Sequence, residues 1–168
     1  MSRRLNIFKH CNAVAVLAVL AVTFLNGCSV VQVTPGTPRA DVLARYGQPM
    51  REVAIPNGAR LQYSYQPAGQ QAVMVDLDAA GRVVSSRQVL QSTEFARIGI
   101  NQWSRADVER EFGRSATIDR VANWPGDIMT YHWRDASQDM YFYVYLDSAN
   151  IVQRTGQGMD FRRDPPRD

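Results

Sequence analysis

The sequence predicts an α+β fold of two tandem units, each a short helical N-terminal part packed on an antiparallel β meander of three to four strands. Three observations lead there. First, Arg39-Ala40-Asp41-Val42 followed by Tyr46-Gly47 recurs as Arg105-Ala106-Asp107-Val108 followed, at the same spacing, by Phe112-Gly113. Second, Tyr63-Ser64-Tyr65 matches Tyr131-His132-Trp133, and Val75-Asp76-Leu77-Asp78 matches Val144-Tyr145-Leu146-Asp147, in the same order, as an internal repeat requires. Third, alternating apolar and polar stretches are punctuated by Asn57-Gly58, Ala80-Gly81 and Pro125-Gly126. That is hairpin chemistry; a parallel sheet needs long crossovers.

The chain opens with Arg3, Arg4 and Lys9, followed by an apolar run from Ala13 to Leu25. At about 1.5 Å per residue this run spans roughly 20 Å as a helix, short of the ~30 Å of a bilayer core. A cleaved signal over residues 1–27 is the expectation. The run closes on Leu25-Asn26-Gly27-Cys28, which resembles the bacterial lipobox, with Cys28 as the acylated residue and new N-terminus. Its acyl chains would anchor the protein stably in a membrane. Ser29 follows where an aspartate would retain such a protein at the inner membrane, so the resemblance implies an outer-membrane, periplasm-facing location. Residues 28–36 read as a tether.

The first unit covers 37–90. Thr37 is placed to cap a helix with Pro38 at the first helical position. Val42 and Tyr46 form an apolar stripe four residues apart, and Gly47 supplies a left-handed stop. So short a helix must lie on a sheet. Strands are expected over 51–55, 60–66, 71–77 and 82–90. Residues 91–103 read as a linker with a helical turn around 94–98. The second unit covers 104–160. Ser104 with Asp107 three residues on resembles a capping box, Val108 and Phe112 repeat the stripe, and Gly113 repeats the stop. Its strands are expected over 117–122, 128–134, 140–146 and 151–155. Residues 161–168, rich in charge and proline, are expected to be disordered.

Strand alternation assigns faces. Leu61, Tyr63, Tyr65, Val73, Val75 and Leu77 should face the first helix. The same phase turns Met129, Tyr131, Trp133, Phe142, Val144 and Leu146 inward in the second unit. Tyr141, Tyr143 and Tyr145 are then left on the opposite face, near Thr130, His132 and Arg134. A tyrosine row makes a good protein-binding surface, because the side chain offers large area at low conformational cost. Another part of the chain could equally cover it as a second core layer, and the sequence leaves both open.

Charge and composition narrow the chemistry. The chain has 19 basic and 16 acidic residues, but three basic and no acidic residues leave with the signal, which brings the balance to 16 against 16. No polybasic surface for nucleic acid is implied. Cys11 leaves with the signal and Cys28 is taken by the lipid, so no thiol remains for a disulfide, a metal or a nucleophilic role. His132 is the one remaining histidine, and no Gly-x-Ser-x-Gly elbow accompanies it. Asp78 and Asp147 start matched turns and read as turn caps, which argues against a metal site at Asp76 and Asp78. Gly156-Gln157-Gly158 is too short for a phosphate loop. No catalytic residue, metal or cofactor is expected.

The lipobox, a helix bearing Arg-x-Asp-Val and ending at aromatic-Gly, a Tyr-x-aromatic strand and a Val-x-Leu-Asp strand-turn together resemble the SmpA/OmlA (BamE-like) outer-membrane lipoproteins. The unit is also similar to the helix-on-sheet repeat of the β-lactamase inhibitory protein. The first resemblance implies a non-catalytic binding or scaffolding role in envelope biogenesis, with components of the outer-membrane β-barrel assembly machinery as partners. This chain has two units where that machinery's small accessory lipoprotein has one. The second implies an alternative, a periplasmic inhibitor of a cell-wall hydrolase, lysozyme or β-lactamase-like enzyme. Tyr141, Tyr143, Tyr145, His132 and Arg134 are the candidate protein-binding residues.

Overall fold

A computed structural model describes residues 33–161. The signal segment, Cys28, most of the tether and residues 162–168 lie outside the described residues. Within them the chain is α+β. Helix α1 (Arg39–Tyr46) is followed by strands β1 (Arg51–Ile55), β2 (Gly58–Ser64), β3 (Ala72–Asp78) and β4 (Val83–Gln88). A single turn, α2 (Ser92–Phe95), leads to α3 (Arg105–Phe112), then β5 (Thr117–Asp119), β6 (Ile128–Asp135), β7 (Gln138–Leu146) and β8 (Val152–Met159). The strands form two four-stranded antiparallel sheets, ordered β1-β2-β3-β4 and β5-β6-β7-β8.

The two halves share local details that explain why the same residue types recur. Each helix ends on a glycine with positive φ, 77° at Gly47 and 78° at Gly113, whose N–H returns to the carbonyl four residues back. The ψ angles near −170° make these extended, glycine-only stops and not the left-handed α conformation the sequence suggested. A tyrosine from the sheet locks each stop, with Tyr63 Oη donating to Gly47 O at 3.1 Å and Tyr131 Oη to Gly113 O at 2.9 Å. The turn aspartates also match. Asp78 Oδ1 accepts from the N–H of Ala80 and Arg82, and Asp147 Oδ1 from those of Ala149 and Ile151. Register shifts fall at matched places, Asp76/Leu77 and Tyr145/Leu146. A Cβ at Gly58 would lie 2.0 Å from Leu77 O and one at Gly126 2.1 Å from Leu146 O, so close backbone approach demands glycine at both.

Some expectations need correction. The N-cap of α1 is Pro38, without a side-chain cap, and the Thr37 hydroxyl donates backwards to Thr34 O. Proline at that position has no side-chain acceptor to offer. Ser104 does cap α3: its Oγ accepts from Asp107 N, and its own N–H and hydroxyl donate to Asp107 Oδ2 at 2.8 and 2.7 Å. The first hairpin turns on Pro56-Asn57, with Gly58 already paired to Ile55. Strand β5 stops at Asp119, whereas β8 runs on to Met159 despite its two glycines. Tyr65 lies past the end of β2 and is 51% exposed, so it does not join the inward set.

The first sheet packs Leu61, Tyr63, Val73, Val75 and Leu77 against Val42 of α1. The second packs Met129, Tyr131, Trp133, Phe142, Val144 and Leu146 with Val108 and Phe112 of α3. That second core also takes Ala72 and Met74 from the other face of the first sheet, with Val89, Leu90, Phe95 and Ile98. Residues 91–103 therefore do more than connect. The Phe95 ring stacks on Phe142 (3.8 Å between centroids, 3° between planes) and meets Trp133 edge-on at 5.3 Å.

Helix α3 thus serves both sheets. Gln62 Nε2 donates to Glu109 O, which also accepts from the Gly113 N–H, and to Arg110 O, both at 3.0 Å, at the carbonyl end of the helix. Arg60, 6% exposed, clamps Asp76 through two bonds of 2.6 and 3.0 Å, reaches Glu111 at 2.8 Å and donates to Arg110 O at 3.1 Å. Burial opposes its charge, but hydrogen bonds and attraction from Asp76 and Glu111 prevail and hold its pKa above the usual guanidinium value.

Two predictions follow from this packing. Phe95→Ala should lower the unfolding free energy by about 3–5 kcal/mol in urea, as removal of a buried aromatic does. A loss below about 0.5 kcal/mol would be typical of a surface site and would place Phe95 outside the core. The second concerns acid. The Ser104 hydroxyl, then its N–H, hold the Asp107 carboxyl below its ordinary 3.8. A lowered carboxylate pKa stabilises the fold above the unfolded value, and that stability is lost as pH falls through the folded value. Ser104→Ala should cost about 1 kcal/mol at neutral pH, and thermal melts below pH 3.8 should show a smaller acid-induced loss than the parent. An unchanged acid limb would mean that the cap does not govern Asp107.

Candidate functional site

The second sheet has an inner face on α3 and an outer face built from alternate residues of β6, β7 and β8. Register places Ile128 opposite Tyr145, Thr130 opposite Tyr143, and His132 opposite Tyr141. On the other side Tyr141 pairs with Gly158, Tyr143 with Gly156 and Tyr145 with Arg154. The three tyrosines are half-buried. Their rings run in sequence along β7, 6.0 Å between Tyr141 and Tyr143 and 6.3 Å between Tyr143 and Tyr145, tilted by 32° and 55°.

The row runs over glycines of β8. A Cβ at Gly158 would sit 3.4 Å from the Tyr143 ring and one at Gly156 3.6 Å from the Tyr145 ring, both ordinary van der Waals distances, so the rings lie close over these two positions. At one end, Arg154 places its guanidinium 4.0 Å above the Tyr145 ring and 4.9 Å from Trp124. Trp124 meets Tyr145 edge-on at 5.2 Å and donates from Nε1 to Leu146 O at 2.6 Å, which fixes its position. The result is a broad aromatic strip with a cation at one end, the composition enriched in protein interfaces.

His132 occupies the other end, edge-on to Tyr141 at 5.2 Å. Its backbone exchanges two bonds with the Gln66 side chain, at 3.1 and 2.6 Å, and its Nδ1 lies 3.0 Å from Pro67 O. It therefore ties the 65–71 loop of the first half to the second sheet. Arg134 shares the face but sits at the β6–β7 hairpin, paired with Asp139 at 2.8 Å. The Asp139 carboxyl is held below its ordinary range, first by a hydrogen bond from Gln70 and then by Arg134. The structure brings Tyr141, Tyr143, Tyr145 and His132 into one strip and leaves Arg134 at its margin. Sequence reasoning missed Trp124, Arg154, Gly156 and Gly158, although the period-2 spacing of the last three was visible.

A cleft of about 650 Å³ lies between the outer face of the first sheet and the start of the second meander, lined by Arg51, Gln62, Arg105, Glu109, Arg114 and Thr117. Glu109 pairs with Arg51 at 3.3 Å and with Arg105 at 3.6 Å, and Arg105 also reaches Asp127 at 3.1 Å. The cleft is thus lined by a web of paired charges. Asp76, weighed above as a metal ligand, is held by Arg60. Among the described residues no group of three or more His, Cys, Asp or Glu is placed to hold a metal ion.

The sequence matches no protein-family model and no curated protein. Among solved structures, a DUF4309 family protein (YjgB) from Bacillus subtilis subsp. subtilis str. 168 is similar at 13% identity over 80% of this chain and 84% of that chain, with a TM-score of 0.31. A likeness at that score carries no argument about fold family or function.

Burial pushes the Tyr143 phenol above its ordinary 10, and Tyr141 and Tyr145 beside it act in the same direction. A raised phenol pKa contributes stability that is whole below the unfolded value and lost as pH rises past it. Burial raises Tyr63 and Tyr131 as well, so ultraviolet titration should show phenolate absorbance forming above pH 10, of which Tyr143→Phe removes one tyrosine's share. Loss of absorbance in Tyr143→Phe confined to the ordinary range around pH 10 would mean that Tyr143 is fully solvated.

Proposed function

We propose that this chain is a lipid-anchored protein of the outer membrane, facing the periplasm, whose work is to bind another protein through the tyrosine strip of its second sheet. The observation that carries the reading is the strip itself: Tyr141, Tyr143 and Tyr145 in a row on a sheet face turned away from α3, running over Gly156 and Gly158 and closed by Arg154 and Trp124. Large aromatic side chains with few rotatable bonds bury much area on binding for little lost entropy.

The anchor rests on Leu25-Asn26-Gly27-Cys28 and on the basic and apolar segment before it. A domain held at the membrane by Cys28 meets membrane-bound partners at high effective concentration, so a modest interface suffices. The finer fold assignment, two units like those of the SmpA/OmlA lipoproteins and the β-lactamase inhibitory protein, is supported by the matched tyrosine-to-glycine locks and aspartate turns of the two halves. It points to a scaffolding role in envelope biogenesis, with barrel-assembly components as the partners to look for. No cofactor or nucleic acid enters this reading.

Replacing Tyr141, Tyr143 and Tyr145 together with serine separates packing from binding. Unchanged melting with lost partner capture, after crosslinking in intact envelopes, is the expected result. Collapse of the fold would reassign the strip to the core. Cys28→Ser should release the protein from the membrane and abolish capture of barrel-assembly components; recovery of one soluble periplasmic enzyme by both forms would favour an inhibitor.

A further inference from the structure

The outer faces of the two sheets are equivalent positions in the two halves, yet they have different fates. On the first sheet Arg60, Gln62, Ala72 and Met74 are buried under α3 of the following half. On the second sheet the matching Ile128 and Thr130 are already buried within the chain, the matching Tyr141 and Tyr143 are half-buried, and among the described residues no third helix follows. At the other end of the molecule the converse holds. Helix α3 turns its back, the carbonyls of Glu109 and Arg110 and the edge of Gly113, onto the first sheet, where a Cβ on Gly113 would lie 3.5 Å from Met74. Helix α1 carries the same sequence motif, but Ala44, at the place of Arg110, is exposed, and a Cβ on Gly47 would meet nothing within 4 Å.

The described residues therefore present two unlike surfaces, the helix back of α1 and the outer face of the second sheet. We infer that the tyrosine strip receives the back of α1 from a second copy of this chain, so that copies stack head to tail with the geometry that α3 and the first sheet already use within one copy. The inference rests on the reading of that strip as a protein-binding surface and names its partner.

The side chains at the matched places suit the exchange. Within one chain Arg60 of the sheet meets Asp76 beside it and Glu111 of the helix. Between copies Ile128 stands for Arg60, Tyr145 for Asp76 and Arg45 for Glu111. The cation moves from sheet to helix, and its counterpart becomes an aromatic ring in place of two carboxylates. Arg154 over Tyr145 shows that this ring already accepts a guanidinium on one side. The contact is heterologous, so it leaves a free helix back and a free strip at the ends of every stack.

The test uses two tagged copies of the full chain, co-expressed, crosslinked in the envelope, solubilised in detergent and purified through one tag. Ala44→Glu blocks the helix back. Gly156→Arg blocks the strip, and Tyr143→Ser provides a second, milder block there; thermal melting checks that each variant folds. Wild-type copies should capture each other. Either blocked variant paired with itself should lose about tenfold or more of that capture, the change expected when ~1.4 kcal/mol of association is removed. The mixed pair should regain it, because the Ala44→Glu copy still has its strip and the Gly156→Arg copy still has its helix back. Absence of wild-type self-capture overturns the inference, as does self-capture indifferent to both blocks or a mixed pair that does not recover. If self-capture is absent while a different envelope protein is lost on blocking the strip, only the second-copy partner fails; if both are absent, the binding role of the strip fails with it.

Discussion

One helix covering two sheets is the constraint on which the rest of this structure depends. A four-stranded sheet exposes two faces, and among the described residues each half supplies one helix of eight residues to cover them. The first sheet solves the problem by borrowing α3, whose Val108 and Phe112 point into the second sheet while its terminal carbonyls accept from Gln62 and Arg60 of the first. Buried carbonyls without partners would be strongly destabilising, so the two halves are joined by hydrogen-bond necessity as well as by apolar packing.

Arg60 shows how far that joining goes. A guanidinium this buried is tolerable only when fully paired, and its partners come from β3 and from α3. The pair with Asp76 is internal to the first half; the bonds to Glu111 and Arg110 O reach into the second. Phe95 completes the seam. It comes from the connection between the halves, yet it stacks flat on Phe142 in the centre of the second core. Neither a rigid linker nor two independent domains describes this arrangement.

The functional proposal comes from the same geometry. Because helices and sheets alternate along the chain, the series has a last sheet with no helix after it among the described residues, and that sheet carries the tyrosines. Its face is not an accident of sparse sequence. The Tyr143 and Tyr145 rings lie over two glycines of β8, and Trp124 and Arg154 close one end. On the equivalent face of the first sheet, Arg87 stands opposite Met74 where Gly156 stands opposite Tyr143.

Local pattern determined a large part of this protein. The helices, their glycine stops, the aspartate turns and the inward phase of Val73, Val75, Phe142 and Val144 were all legible, because each depends on neighbours within a few residues or on an alternation of period two. Pro38 misled for a local reason too, since the repeat put it where Ser104 caps its helix. The tertiary structure alone decided what became of the opposite faces. Alternation puts Gln62, Ala72 and Met74 on the face away from α1 without saying what covers it; they are buried because α3 arrives from 27 residues downstream, from Asp78 to Arg105. The bed of the tyrosine strip likewise needed the β7–β8 register to bring Gly156 and Gly158 beneath Tyr143. A periodicity reports that a strand has two faces; what covers each face is a long-range contact, and single-chain patterning carries no record of it.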